Sequence, residues 1–515
     1  MMKRISLVFT VCIVILAAGC MTVGPDYVPT EPKVPEQFSS DLSGGLTVEP
    51  LDKATLSQWW ATLNDPELTD LIDRAIAGSL DLREAAARIL EARAQRGISE
   101  AGRFPTIDAS GSVSRQRFRF GTNQENVIAA TNTLYGGGFD ATWELDLFGR
   151  LQRQVEASTA ELEASEEAYR DVLVTLLAEV ALNYVEVRSF QMRLAVAEAN
   201  RDAQAKTLEL VQANFEGGEV SRLDVEQARS NLESTRSQIP TLETSLAQAK
   251  HRLAVLLGQP PGSLDDELHK FKRVPLASPS VAIGVPANML RRRPDIRRAE
   301  RELAAQTAQI GVATAELYPK FTLIGSIGLE SFSASDFFVP MSRVFKIGPA
   351  VQWNIFDAGR IRRNIEVQNA KQEQALIAYE AAVLNALREV EDMLVAYGKE
   401  MTRRQSLVEA EQATRRTVEI AQDQYHAGES NFLTVLDAQR SLLNIQDQLA
   451  ESDGQVTTNV ISLYKALGGG WESLAPESSR EPDITGSDNN QIENEVSSHS
   501  AKDQNGVDRI PTGSE

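Results

Sequence analysis

The stretch FEGGEVSRLDVEQAR, starting at Phe215, returns as YHAGESNFLTVLDAQ starting at Tyr425, and WELDLFGR at Trp143 returns as WNIFDAGR at Trp353. Both echoes are 210 residues apart. A third pair, FPTI at Phe104 and YPKF at Tyr318, is 214 apart, so the halves differ in length only between this motif and the Trp motif. A period this long rules out a solenoid of short repeats. The 515 residues therefore read as one body made from two similar halves rather than as a string of unrelated domains.

The start of the chain is a separate matter. Lys3 and Arg4 precede an apolar run, Ile5 to Ala17, which ends in Ala18, Gly19 and Cys20. That is a secretory signal at 1–19, too short to be a spanning helix. ILAAGC resembles a bacterial lipoprotein processing site, with Ala17 where leucine is more usual. The resemblance implies that Cys20 becomes the first mature residue and carries covalent lipid, and that Met21, in place of an aspartate, directs the protein to the outer membrane. Cys12 leaves with the signal, so the mature chain has one cysteine and no internal disulfide. Losing Lys3 and Arg4 takes the formal charge from -20 to -22, which argues against nucleic acid or a bare anionic lipid surface as partner of the chain as a whole.

Residues 20–60 are rich in proline (Pro25, Pro29, Pro32, Pro35, Pro50), which predicts an extended segment lying along some surface. The repeats follow, at 61–272 and 273–472. The tail, 473–515, is polar and acidic and is expected to be disordered. No proline falls between Pro105 and Pro240 or between Pro349 and Pro476, as very long helices require. Leu376, Tyr379, Val383, Leu387, Val390, Leu394 and Tyr397 follow steps of three and four, and Tyr169, Leu173, Leu177, Val180, Tyr184 and Val187 keep the same phase 210 residues earlier. At 1.5 Å per residue, a helix from Arg360 to Tyr425 is roughly 100 Å long.

Each long helix stops at a turn, Gly217-Gly218 or Ala427-Gly428, read as glycine C-caps of positive φ. A second helix then begins, with Ser221 or Ser430 as expected N-cap, and Pro240 is expected to kink the first of these returning helices. Ahead of the long helices, Ile107–Phe118, Thr133–Asp146, Phe321–Glu330 and Phe345–Asn354 are small-residue-rich and partly alternating. They read as four strands in two hairpins, with the texture of a membrane barrel. Four strands cannot close a barrel, and an open edge cannot sit in hydrocarbon, so the strands must pair with other copies. Spacing alone leaves the number of copies open.

These motifs, with RRRPDIRRAE at Arg291 and the Gly-Glu…Leu-Asp-Ala-Gln turn at Gly428, resemble the outer-membrane efflux factors of the TolC class, closest to the lipidated NodT and OprM group, over roughly residues 55–470. The resemblance implies an α+β membrane fold: a homotrimer with four strands per chain in one twelve-stranded outer-membrane β-barrel, and long helical hairpins forming a periplasmic α-barrel. It implies a passive exit duct for small molecules, working with a periplasmic adaptor and an inner-membrane RND-type pump. It also places Asp437, in FLTVLDAQR, at a narrow periplasmic aperture, with Asp224 as its weaker counterpart and Thr434 where a second acid is common. The tips at Gly217, Gly218, Tyr425 and Gly428 would meet the adaptor.

Plainer readings stand beside these. Asp437 also fits a solvated helix acid, Ser221-x-x-Asp224 a capping pair, and the arginines of 291–298 an ion-paired or solvated helix start. His251, His269, His426 and His499 have no metal-ligand spacing, and HExxH, GxSxG, GxGxxG and P-loop motifs are absent, so the chain reads as no enzyme and as needing no cofactor beyond the lipid. Two other functions remain: protein export through such a duct, and a lipid-anchored coiled-coil tether, for which the strands would have no use.

Overall fold

The computed structural model describes residues 22–29, 34–40, 42–47, 53–120, 128–275, 281–282, 286 and 292–472; the signal, Cys20 and the acidic tail lie outside the described residues. In chain order the elements are β1 (Leu46–Thr47), α1 (Lys53–Ser57), α2 (Pro66–Gly78), α3 (Leu80–Ala101), β2 (Thr106–Phe120), β3 (Ile128–Leu145), α4 (Arg150–Glu216), α5 (Arg222–Leu256), β4 (Val281–Ala282), α6 (Pro294–Ala315), β5 (Lys320–Ser331), β6 (Arg343–Gln352), α7 (Arg360–His426) and α8 (Phe432–Ala466).

The duplication is kept to the residue. Helices α4 and α7 have 67 residues each, about 100 Å of helix, and α5 and α8 have 35 each; both pairs are offset by 210. Helices α3 and α6, with 22 residues each, keep the 214 offset, so the length change falls in the hairpins. The stepwise apolar positions form the core of the long helices: Leu173, Leu177, Val180, Tyr184 and Val187 on α4 are buried, as are Tyr379, Val383, Val390, Leu394 and Tyr397 on α7. Helix α5 continues from Arg222 to Leu256 through Pro240.

The four long strands form one antiparallel sheet in the order β2-β3-β5-β6, and β1 and β4 form a separate two-residue parallel pair. The facing strand ends, Phe120 with Ile128 and Leu329 with Arg343, lie at the end of the sheet away from the long helices. The two edges, β2 and β6, have no further strand partner among the described residues and run in opposite directions. Successive copies can therefore continue the ladder antiparallel.

The described parts of the proline-rich segment run along the helices. Thr22 lies against Gly149 at the foot of α4, the Val23 N–H donates to Phe148 O, and the Tyr27 hydroxyl donates to Glu300. Further on, Ser39 and Ser40 bind Glu391, and the Tyr397 hydroxyl donates to Gly44 O. Trp59 is buried and stacks on Tyr464 at 5.7 Å, joining the beginning of the described body to its end.

Candidate functional site

The strand register sorts the sheet into two faces. One holds Ile107, Ala109 and Val113; Tyr135, Phe139, Trp143 and Leu145; Phe321, Leu323, Ile327 and Leu329; and Phe345, Ile347 and Val351. The other holds Asp108, Ser110, Ser112 and Ser114; Asp140, Thr142 and Glu144; Thr322, Ser326 and Glu330; and Lys346 and Gln352. An apolar face edged by Tyr135 at one end and Trp143 at the other, backed by a polar face, is the pattern of a membrane barrel whose interior is wet. No described helix is long and apolar enough to cross a membrane.

The repeated Trp-Gly-Arg motif is the elbow between the sheet and the long helices. The Trp143 indole donates to Arg103 O at 2.9 Å and the Trp353 indole to Leu317 O at 3.0 Å, tying each strand to the end of the helix before it. Gly149 (φ 76) and Gly359 (φ 87) turn the chain into α4 and α7 through the left-handed region, which glycine enters without penalty. Asp146 accepts from the Gln152 N–H, and Asp357 from Ile361 and Gly359; the Ile361 N–H, at the positive end of the helix, holds the Asp357 carboxyl below its ordinary range.

At the far end, α4 with α5 and α7 with α8 close two tips around a shared core of Val211, Val225, Ala228, Ala421, Phe432, Val435, Leu436 and Ala438. Tyr425 packs against it with its ring 5.3 Å from Phe432, and burial raises its hydroxyl pKa. Gly218 and Gly428 have φ of 78° and 75°, as expected of αL caps, whereas Gly217 is right-handed at -72°, so one glycine in that turn suffices.

The returning helices start differently. Ser221 caps α5 in a reciprocal box: its hydroxyl accepts from the Asp224 N–H, while Asp224 Oδ2 accepts from the Ser221 N–H at 3.0 Å. Helix α8 is capped by Asn431, which accepts from the Thr434 N–H at 3.1 Å, and the expectation of Ser430 as cap is corrected. Asn431 stands where the repeat has Ser221, and an Asn oxygen caps as well as a hydroxyl. Asp437 takes no part in capping. It is exposed, 3.7 Å from Arg440, whose Nε donates to Asn231.

The arginine-rich segment is ion-paired and partly buried. Arg293 binds Asp295, Glu389 and Ala466 O, and Arg297 binds Glu167 at 2.6 Å. Arg170 and Arg297 both lie over the Trp471 ring, and Glu167, paired with both, has its pKa raised by burial despite their charge. A second such pairing joins buried Arg188 to Glu67 at 2.7 Å. Sequence reasoning missed these clusters because their members are scattered from Glu67 to Trp471. Among the described residues no group of three His, Cys, Asp or Glu side chains could hold a metal ion.

Comparison with known proteins agrees with this geometry. The family model for outer membrane efflux protein matches residues 71–259 and again 285–469, one match per repeat. The chain is 34% identical over 467 residues to nodulation protein T of Rhizobium leguminosarum bv. trifolii, covering 90% of this chain and 97% of that protein. It is 33% identical over 466 residues to the cation efflux system protein CusC of Escherichia coli (strain K12), covering 89% and 98%. Among solved structures it is similar to the outer-membrane channel OprN, with a TM-score of 0.81 and 35% identity over 87% of this chain and 99% of that one. The chain belongs to the outer membrane efflux protein family, and is an outer-membrane efflux channel rather than an enzyme.

Proposed function

We propose that three copies close into one duct that passes small molecules from a periplasmic adaptor and an inner-membrane RND-type pump to the exterior. The observation that carries this reading is that one repeat is covered where the other is bare. Helix α6 packs against both α4 and α7, whereas among the described residues α3, its counterpart, packs extensively against α4 and against no second long helix. Likewise β3 of the first repeat pairs β5 of the second, while β6 is left open. A neighbouring copy's α3 and β2, set on α7 and β6, repeat the internal interface and complete the ring.

Relatives named for solvent efflux in Pseudomonas putida and for cation efflux in Escherichia coli support small cargo. The sequence pattern supports lipid on Cys20, and Thr22 lies at the foot of α4, where strands give way to helices. At the tips, Gly217, Gly218, Tyr425 and Gly428 form the adaptor-facing surface. Three copies of Asp437 around the axis narrow the aperture and favour cations, while Asp224, engaged in its cap, contributes less.

The test is conductance of the purified protein in planar bilayers. Cation-selective channels that open further in Asp437→Ala are expected; silence from both proteins sinks the duct.

A further inference from the structure

All the acids of the four long strands, Asp108, Asp140, Glu144 and Glu330, fall on the polar face of the register. The apolar face has no carboxylate among the described residues, and the charges found on it stand together near the loop end. On β2, Ile107, Ala109, Gly111 and Val113 are followed on the same face by Arg115 and Arg117; on β6, Arg343 precedes Phe345 and Ile347. Arg115 pairs across the ladder with Thr133 and Arg117 with Thr131, two and four positions beyond Tyr135, where the apolar band ends. The side chains of Arg115, Arg117 and Arg343 are exposed, and none has an ion pair among the described residues. That is unusual here: the protein has a formal charge of -20 and otherwise matches many of its arginines with acids.

An arginine facing hydrocarbon is costly at mid-membrane and nearly free at the interface, where it meets phosphate. Arg115 and Arg117 are roughly 6–7 Å apart along the strand, so both guanidiniums can reach the phosphates of one headgroup. The loop end is the end away from the tunnel, so the leaflet it meets is the outer one. We infer that Arg115, Arg117 and Arg343, with the hydroxyls of Thr131 and Thr133, form a docking surface for the phosphates of a bisphosphorylated glycolipid of the outer leaflet. The part played by Arg343 rests on the ring proposed above, since closing the barrel brings the β6 edge of one copy beside the β2 edge of the next. Net charge repels an anionic surface from the chain as a whole; the segregation of charge between the faces makes this rim the exception.

The test titrates the full-length protein, purified in detergent, with bisphosphorylated lipid A, its dephosphorylated form and phosphatidylglycerol, and reads bound lipid by native mass spectrometry. Bisphosphorylated lipid A is expected to bind about tenfold or more tightly than either of the others. Replacing all three arginines by glutamine should abolish that preference, while Lys346→Gln, which removes one charge from the opposite face of β6, should leave it intact. Equal binding of the dephosphorylated lipid or of phosphatidylglycerol, or a triple variant that binds like the parent, overturns the inference. Should the triple variant not assemble, Arg117→Gln alone, with an expected loss of about fivefold, decides. A preference sensitive to Arg115→Gln and Arg117→Gln but untouched by Arg343→Gln keeps the site and removes the ring's share in it.

Discussion

Helices α4 and α7 have the same length and phase, yet they have opposite surroundings. Ala157, Val174 and Val185 on α4 are buried at 0%, 5% and 1% exposure, and their echoes 210 residues later, Val367, Leu384 and Val395, are open at 50%, 67% and 49%. The earlier pair of helices shows the reverse: Ala304 on α6 packs with Ala160 and Ala305, while Leu90, its counterpart on α3, is 63% exposed. A face that the chain covers in one repeat and leaves apolar in the other is reserved for a neighbour. The duplication thus carries the assembly rule as well as the fold.

The strongest way to break that comparison is to charge the same face in each repeat. Leu384→Arg on α7 is expected to leave a helical monomer, because a guanidinium buried without a partner costs several kcal/mol in each interface and nothing in the free chain. Val174→Arg on α4 should destroy the fold itself. Circular dichroism together with native mass spectrometry separates the outcomes; a trimer that survives Leu384→Arg removes α7 from the interface.

The elbows give the next largest effect. Gly149 and Gly359 share a left-handed backbone, so alanine at either costs about 1 kcal/mol. A Cβ at Gly149 also lies 2.8 Å from the Thr22 Cα, whereas at Gly359 it meets nothing within 4 Å. Gly149→Ala should therefore lose about 2–3 kcal/mol against about 1 for Gly359→Ala in denaturant unfolding. Equal losses would show that the 22–29 segment yields freely.

At the tips the comparison separates stability from transport. Asp224→Ala removes half of a capping box and should cost about 1 kcal/mol with little change in conductance. Asp437→Ala gives up only an exposed pair at 3.7 Å, so stability should hold while conductance rises and cation preference falls. A stability loss from Asp437→Ala, or a conductance change from Asp224→Ala, would reverse the roles assigned to the two acids.

Much of this was legible beforehand because it depends on local pattern. Proline-free stretches and three-four spacing gave the long helices, and alternation gave four strands that begin or end within a few residues of those observed, such as Phe321–Glu330 inside β5. What stayed hidden depends on partners remote in sequence. The Trp143 indole meets a carbonyl 40 residues away, and the Arg293 guanidinium meets Glu389 and Ala466 O. Ser430 and Asn431 are both competent caps, and only the path of the turn chooses between them. Asp437 itself was picked out by its place in the repeated tip motif, whereas its distance from the axis of the proposed ring depends on neighbouring copies and on no local pattern.

The smallest effect belongs to a feature with no echo. Glu391 accepts from the Ser39 N–H at 2.6 Å, the Ser40 N–H at 3.0 Å and both serine hydroxyls; its counterpart in the first repeat is Ala181, which is buried. Burial alone would raise the Glu391 pKa, but the four donors outweigh it and hold the carboxyl below its ordinary 4.5. A carboxyl depressed on folding contributes stability above its unfolded value and loses it as the pH falls through the folded one, so the clamp weakens below about pH 4.5. Protection of residues 39, 40 and 42–44 against hydrogen exchange, taken relative to the intrinsic rate at each pH, should fall there in the parent. Glu391→Gln, which has a single oxygen acceptor and no titration, should exchange faster at neutral pH and lose the acid dependence. If the parent's protection is flat across that range, the Tyr397 hydroxyl on Gly44 O holds the segment without help from Glu391.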